Sequence, residues 1–491
     1  MGAKTKTKAA VRRGLRRRRA LGALFAGVAL GALLLGLLVL LVLIATTALQ
    51  STQLVAMRAT ADAGLSLSLR TLQLGPRGGG TAGFFPYVTV ARVAPGSPAE
   101  ALGLRRGDAL LRVGEVPVER VSDVWRAIAA LPSGVERASI AWVPGRRGLL
   151  GSLRAVPVPD RPGEFRVVLS KVAPGSAAER AGLQPGDVLV EAGGLPITGT
   201  QQAWQALVVA ARTQGGKVPL TIEREGERLT AVLDVERRGE LPFQRSLLRA
   251  YGAFLTSLNE PRYPEHAGLA SAFLGSLYVI LVTALVAFPL GIGAAVYLEE
   301  YARRGVLTEI LQILIANLAG VPSVIYGIIG LEILARSLGL GRSILAGGIT
   351  LALLVLPIMI IAAREALRTV PPSVREAAYG VGATRWQVIR HHVLPYALPG
   401  IFTGMILALS RALGEAAPLL LLGAFLYVSY VPQSLWDSFT VIPLQIFDWA
   451  TKPQEGFAEV AAASIVVLLV LLLLLNGTAI WLRNRYQKRW S

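Results

Sequence analysis

The chain has no cysteine and only three histidines, His266, His391 and His392, in 491 residues. Without cysteine there are no disulfides, thiol nucleophiles or cysteine-ligated metals, and three scattered histidines cannot build a histidine-rich metal centre. No His-Glu-x-x-His pair occurs, which excludes a membrane-embedded zinc protease of that type. No Gly-rich loop ending in Lys-Ser or Lys-Thr occurs either, so the chain carries no phosphate cradle for hydrolysing nucleotides itself. Charged residues are sparse at 16% against 53% hydrophobic, and the apolar ones gather in blocks long enough to cross a bilayer. A simple soluble enzyme is thereby excluded. The net charge of +19 sits largely beside apolar blocks and shows no aromatic-interleaved basic patch, so it indicates membrane orientation rather than nucleic-acid binding.

Lys4, Lys6, Lys8, Arg12, Arg13 and Arg16 to Arg19 form a basic tail over residues 1–19, followed by an apolar stretch at 20–49. That stretch is too long for a cleaved signal peptide and reads as a first span starting in the cytoplasm. Five more spans are expected at about 269–298, 306–335, 343–365, 396–426 and 458–482, within a membrane domain covering 269–482. Six crossings put both ends on one side. Arg303-Arg304, the loop carrying Arg368, Arg375, Arg385 and Arg390, and the tail 483–491 with Arg483, Arg485, Lys488 and Arg489 then all face inward, with Arg336 and Arg342 as exceptions.

Between the first two spans lies an internal duplication. Val93-Ala94-Pro95-Gly96-Ser97-Pro98-Ala99-Glu100 recurs as Val172-Ala173-Pro174-Gly175-Ser176-Ala177-Ala178-Glu179, Gly107-Asp108 recurs as Gly186-Asp187, and Trp125 as Trp204, each 79 residues later. In each copy the serine is placed to cap a short helix, with the glutamate three residues on closing a capping box and Gly103 or Gly182 stopping it. Alternating strands flank both. The pattern resembles two bacterial-type PDZ domains, at 65–145 and 146–238. The resemblance implies small α+β modules that bind an extended peptide along a strand edge, holding its carboxylate with a glycine-containing loop. Gly83-Phe84-Phe85 is an acceptable version of that loop in the first copy. The second has Pro162-Gly163-Glu164, whose acidic residue repels a carboxylate, so the expected peptide ligand belongs to the first copy. The alternative is that both copies are spacers or docking surfaces.

A hydrophilic stretch between two apolar blocks reads Glu376-Ala377-Ala378-Tyr379-Gly380-Val381-Gly382 and, nine residues on, His392-Val393-Leu394-Pro395. It resembles the EAA loop of ABC-transporter membrane subunits, a helical hairpin that docks into the ATPase. By that resemblance Glu376, Ala377, Ala378, Gly382, Leu394 and Pro395 couple the two, Gly382 permitting a turn and Pro395 restarting the chain as a helix. His392 departs from the aliphatic residue usual there. Ala319 to Gly327 (Ala-Gly-Val-Pro-Ser-Val-Ile-Tyr-Gly), Arg411 to Leu419 (Arg-Ala-Leu-Gly-Glu-Ala-Ala-Pro-Leu) and Ile442 to Phe447 (Ile-Pro-Leu-Gln-Ile-Phe) complete a likeness to the PstA-type permease of phosphate-specific ABC importers, running from about Ala270 onward.

Arg411 and Glu415 stand four apart, on one face of an expected intramembrane helix, where an unpaired charge costs at least a few kcal/mol. A guanidinium presents a donor fork matching phosphate oxygens, which assigns Arg411, with Glu415 and Asn317, to a substrate path. The alternative is a structural ion pair. Glu332 and Arg364 are further candidates for the path, and Arg364 equally suits the membrane interface; Ile361 stands where the family often carries a second arginine. Pro289, Pro322 and Pro357 predict kinks, and Gly320, Gly327 and Gly330 close helix packing.

The resulting expectation is a mainly α integral membrane protein with six transmembrane helices of the ABC importer permease type and two PDZ-like domains between helices 1 and 2. It would sit in the cytoplasmic (inner) membrane, with the PDZ-like domains outside. By resemblance it is non-catalytic, carries no cofactor, and assembles with a second permease subunit, an ATPase dimer and an external phosphate-binding protein. A permease for molybdate or sulfate, or a PDZ sensor, are the competing expectations.

Overall fold

The computed structural model describes residues 35–74, 83–132, 136–158, 164–303 and 305–487. The basic tail, the first part of the first span, Pro162-Gly163, Arg304, Lys488 and Arg489 lie outside the described residues. The first described helix runs Leu35–Asp62, past the expected end at 49. At Thr52 it only tightens, Thr52 N–H donating to Leu49 O and Val55 N–H to Thr52 O, and Gly64 stops it with φ +86°, at a point where a Cβ would overlap Ser97. At 1.5 Å per residue it spans about 42 Å, more than the roughly 30 Å hydrocarbon core, so it projects from the bilayer. Leu35 to Ile44 are exposed, as lipid contact requires, whereas Leu54, Met57 and Ala59 in the projection are fully buried.

The duplicated region forms two sheets. The first contains β1 (Leu65–Leu74), β2 (Gly83–Val93), β3 (Ala109–Val113), β4 (Val116–Pro117) and β5 (Arg137–Val143); the second contains β6 (Gly151–Pro157), β7 (Phe165–Val172), β8 (Val188–Ala192), β9 (Leu195–Pro196), β10 (Lys217–Arg224) and β11 (Glu227–Asp234). A last strand, β12 (Arg237–Pro242), returns to the first sheet and pairs with β5, Arg237 opposite Trp142. The sheet orders are β1-β2-β3-β5-β12 and β11-β10-β8-β7-β6. The second module is therefore inserted into the first, which a boundary at 145/146 does not capture. The serine caps form as expected, Glu100 N–H donating to Ser97 and Glu179 N–H to Ser176. Their glutamates reach one residue further back, accepting from Gly96 and Gly175.

The modules pack on each other through the helix Thr200–Gln214, whose Trp204 donates Nε1–H to Pro144 O at 2.9 Å and meets Tyr87 edge-on. The first module is fused to the membrane domain by one apolar core that joins Leu54, Met57, Trp125, Phe254, Trp449 and Phe457. Trp125 lies directly on Gly456, and Ser122 donates to Glu455.

In the membrane domain the helices are Ala270–Tyr301, the pair Val306–Ala319 and Ser323–Ser337, Ile344–Arg368, Arg385–Gly414 and Phe457–Arg485. The expected continuous span at 306–335 is instead bent by 100° at Gly320-Val321-Pro322. Pro322 lacks the N–H a continuing helix needs and Gly320 ends the preceding helix. The bent pair still crosses. Gly348 packs on Val282, Gly291 on Met359, and Arg364 pairs with Glu299, so the second and fourth spans run parallel and the chain between them has to return across the bilayer. Six crossings follow, with 372–388 at one end of the bundle and the two sheets at the other.

At the latter end Glu265 is fully buried, its Oε1 accepting from Leu67 N–H at 3.0 Å. Burial pushes its pKa up to about 7, and also holds His266, hydrogen-bonded to Ser66, below its ordinary value, with Arg58 adding to the effect. A carboxyl raised in the fold contributes stability that is complete below its unfolded value near 4.5 and lost as pH rises through 7. Glu265→Gln is expected to gain thermal stability relative to wild type as pH goes from 5 to 8, read as the difference in Tm in detergent. A difference independent of pH would refute the assignment.

Candidate functional site

Residues 372–388 fold as the hairpin the sequence suggests: a helix Pro372–Gly380, a turn at Gly382 with φ +84°, and a second helix from Arg385. Thr384 and Gln387 form a capping box that starts the second helix. Pro395 stands in the first turn of the α-helix Leu394–Gly414, as expected, but no break in the chain precedes it. It lies inside the continuous run Arg385–Gly414, where Ile389–Val393 widen into a π turn next to the missing N–H. Ala378 is buried against the bundle, whereas Glu376, Ala377, Gly382 and His392 are exposed. Leu394 and Pro395 are half-buried. Val381 is 85% exposed beside exposed Tyr379 and Trp386, an apolar tip with nothing of its own chain on it.

The hairpin is held to the spans by ion pairs that sequence reasoning missed. Glu300, buried at the end of the second span, takes Arg375 Nη2 at 2.8 Å and Nε at 3.2 Å, and its backbone carbonyl accepts from Arg385. Glu299 accepts from Arg364 at 2.7 Å and pairs with Arg368 at 3.0 Å. Arg364 thus fastens two spans together. Sixty-five residues separate it from Glu299, so no helical spacing links them; two adjacent glutamates closing an apolar span were the available signal.

The Ala319–Gly327 and Arg411–Leu419 motifs meet: a Cβ on Gly327 would overlap Pro418, so the helix Ser323–Ile329 lies hard against Ala417–Leu422. Gly330 likewise packs on Thr350, while Gly320 only closes its helix. The expected span at 396–426 breaks after Gly414, and Glu415 is extended at ψ 120°, so Arg411 and Glu415 do not share a continuous helix face. They pair nonetheless, Nε to Oε1 at 3.4 Å, Arg411 half-exposed and Glu415 turned inward toward Ser276 and Leu351. Arg411 occupies the last helical turn, where the helix dipole favours a cation. Asn317 is exposed on Val306–Ala319, a helix burying none of its residues, and no hydrogen bond joins its side chain to Arg411 or Glu415. Glu332 pairs with Arg336. Ile442 N–H donates to Ser276 and Asn259 to Gln445, tying the third motif to the second span and its approach.

Gly83, Phe84 and Phe85 are strand residues, and 75–82 before them lie outside the described residues. The three lie within β2, opposite Leu74, Gln73 and Leu72 of β1. Peptide addition needs a free edge, and β1, the adjacent edge, has Leu67 N–H bound to Glu265 and the helix Gln53–Asp62 packed beside it, with Arg58 donating to Ala267 O.

Residues 287–490 match the family of binding-protein-dependent transport system inner membrane components, and 89–137 and 168–224 match PDZ domains. The phosphate transport system permease protein PstA of Yersinia pestis is 35% identical over 224 residues, 46% of this chain and 75% of that protein. The chain belongs to the PstA-type permease family. This PstA-type permease is a multi-pass membrane protein with PDZ domains set between its first two spans. The probable ABC transporter permease YqgH of Bacillus subtilis is 41% identical over 175 residues, 33% of this chain. The match spans 55% of that protein's length, and 61% of the length of YqgI from the same organism.

Removing one partner of a buried pair strands the other charge, at a cost of about 3 kcal/mol, whereas replacing both with apolar residues is often neutral. Glu299→Ala is expected to lower the Tm in detergent by about 5 °C or more, and Glu299→Leu with Arg364→Leu to restore most of it. A single variant as stable as wild type would show that the pair holds nothing.

Proposed function

We propose that this chain is the membrane-spanning permease subunit of an ATP-driven importer of inorganic phosphate. The observation that carries the reading is the Arg411–Glu415 pair, set at a helix break on a surface that the single chain leaves open. The names of the PstA relatives support phosphate as the substrate. Arg411 offers the anion a fork of charge-assisted donors. Glu415 neutralises that fork in the empty path and yields when the anion arrives. A second permease subunit completes the path, and an external phosphate-binding protein delivers the substrate.

The hairpin 372–388 seats in separate ATPase subunits, its exposed Tyr379, Val381 and Trp386 forming the contact. Closure of the ATPase pair moves the hairpin, and the Glu299 and Glu300 ion pairs pass the motion to the second and fourth spans instead of letting a loop absorb it. With the hairpin inside, the PDZ domains at the opposite end of the bundle lie outside the inner membrane.

Labelled phosphate uptake in cells tests this. Arg411→Ala, with membrane levels confirmed, is expected to lose uptake at least tenfold, about 1.4 kcal/mol, and Arg411→Lys to retain part of it as a charge without the fork. Arsenate should compete and sulfate should not. Full uptake by Arg411→Ala removes the anion contact; competition by sulfate redirects the reading to another oxyanion.

A further inference from the structure

A cleft of about 770 Å³ opens between the two PDZ domains, and five arginines line it: Arg105, Arg106, Arg146, Arg147 and Arg237. They come from three separate segments: the turn before β3, the short helix Arg146–Leu149 before β6, and the start of β12. Among the described residues none of these five guanidiniums has an ion pair or hydrogen bond. Asp108 is the only carboxylate in the lining, and its oxygens are already taken by backbone amides, Arg105 N–H at 2.9 Å and Gly145 N–H at 2.7 Å.

The duplication supplies an internal control. Asp187, the counterpart of Asp108, is gripped by Arg224 at 2.7 and 2.8 Å. The residue 79 positions before Arg224 is Gly145. In the first copy a backbone amide thus satisfies the carboxylate, and no guanidinium is used up. The positive excess gathers where the two copies diverge, in a concave site that focuses its field. Five like charges sharing a single carboxylate, Asp108, repel one another, and an anion with several oxygens removes that repulsion while filling guanidinium forks. The cleft has several times the room of one small oxyanion. In its wall Trp142 and Arg237 stand opposite each other across β5 and β12.

We propose that this cleft is a binding site for a multiply charged phosphoryl anion that bridges the two PDZ domains. The site is separate from the membrane path and does not depend on the reading of Arg411. Calorimetric titration of the full chain in zwitterionic-lipid nanodiscs at fixed ionic strength tests it, with tripolyphosphate, pyrophosphate and inorganic phosphate as probes. Tripolyphosphate is expected to bind at least tenfold more tightly than inorganic phosphate. Arg146→Ala with Arg147→Ala, and Arg105→Ala with Arg106→Ala, should each weaken it at least tenfold at unchanged Tm, whereas Arg411→Ala should leave it intact. Replacing Arg154 and Arg166, outside the cleft, should have no comparable effect. The proposal is overturned if tripolyphosphate does not bind, if the cleft variants bind it as wild type does, or if the outside pair weakens it equally.

Discussion

The close parallel packing of the second and fourth spans is the contact on which the rest of the architecture depends. Gly348 against Val282 and Gly291 against Met359 let the two helices approach closely, each glycine receiving the partner's side chain, in the manner of small-residue helix interfaces in lipid. The ion pair between Glu299 and Arg364 ends that seam. Because two touching parallel helices need an odd number of passages between them, the seam turns a helix bent by 100° into a genuine crossing. It also fixes which loops share a side, and so separates the hairpin from the PDZ domains by the thickness of the bundle.

At the other end, the projection of the first span serves as a wedge. Leu54 and Met57 enter the same core as Trp125, Trp449 and Phe457, so a PDZ domain, a membrane helix and the approach to the sixth span are welded into one body. One end of the β1 edge is taken up in that weld, where Leu67 N–H donates to Glu265. The first PDZ domain is thereby packed onto the membrane helices, and the second packs on it through Trp204 and Gln205.

Much of this was legible in the residues, for local reasons. The duplication is a fixed offset, the serine caps are a three-residue pattern, and the apolar spans are runs of composition; none needs knowledge of what lies far away. The features that escaped are non-local. Hydropathy is blind to direction, so 306–335 reads as one rod although Gly320 and Pro322 fold it over. An alternating segment says nothing about its neighbour, so residues 237–242, mostly beyond the expected end of the second copy at 238, gave no sign of being the closing strand of the first. Glu299 and Glu300 find their arginines through tertiary packing. Glycine followed by aromatics suits a strand as well as a binding loop, so Gly83-Phe84-Phe85 did not reveal its pairing with β1. At the candidate path the residue types were legible, but the break after Gly414 was not: four-residue spacing implies a helix face until Pro418 is weighed against it.

The insertion of one module between β5 and β12 of the other has a consequence for synthesis. During translation the strands up to β5 emerge well before the one that borders them, so the first sheet stays open at that side while the second module, whose pairings are all internal, is completed. Chains generally assemble in the order they leave the ribosome. Here the later module finishes earlier, and the earlier one closes around its root, so a stall or truncation anywhere in 146–236 leaves β5 with an unpaired, sticky margin at the membrane surface.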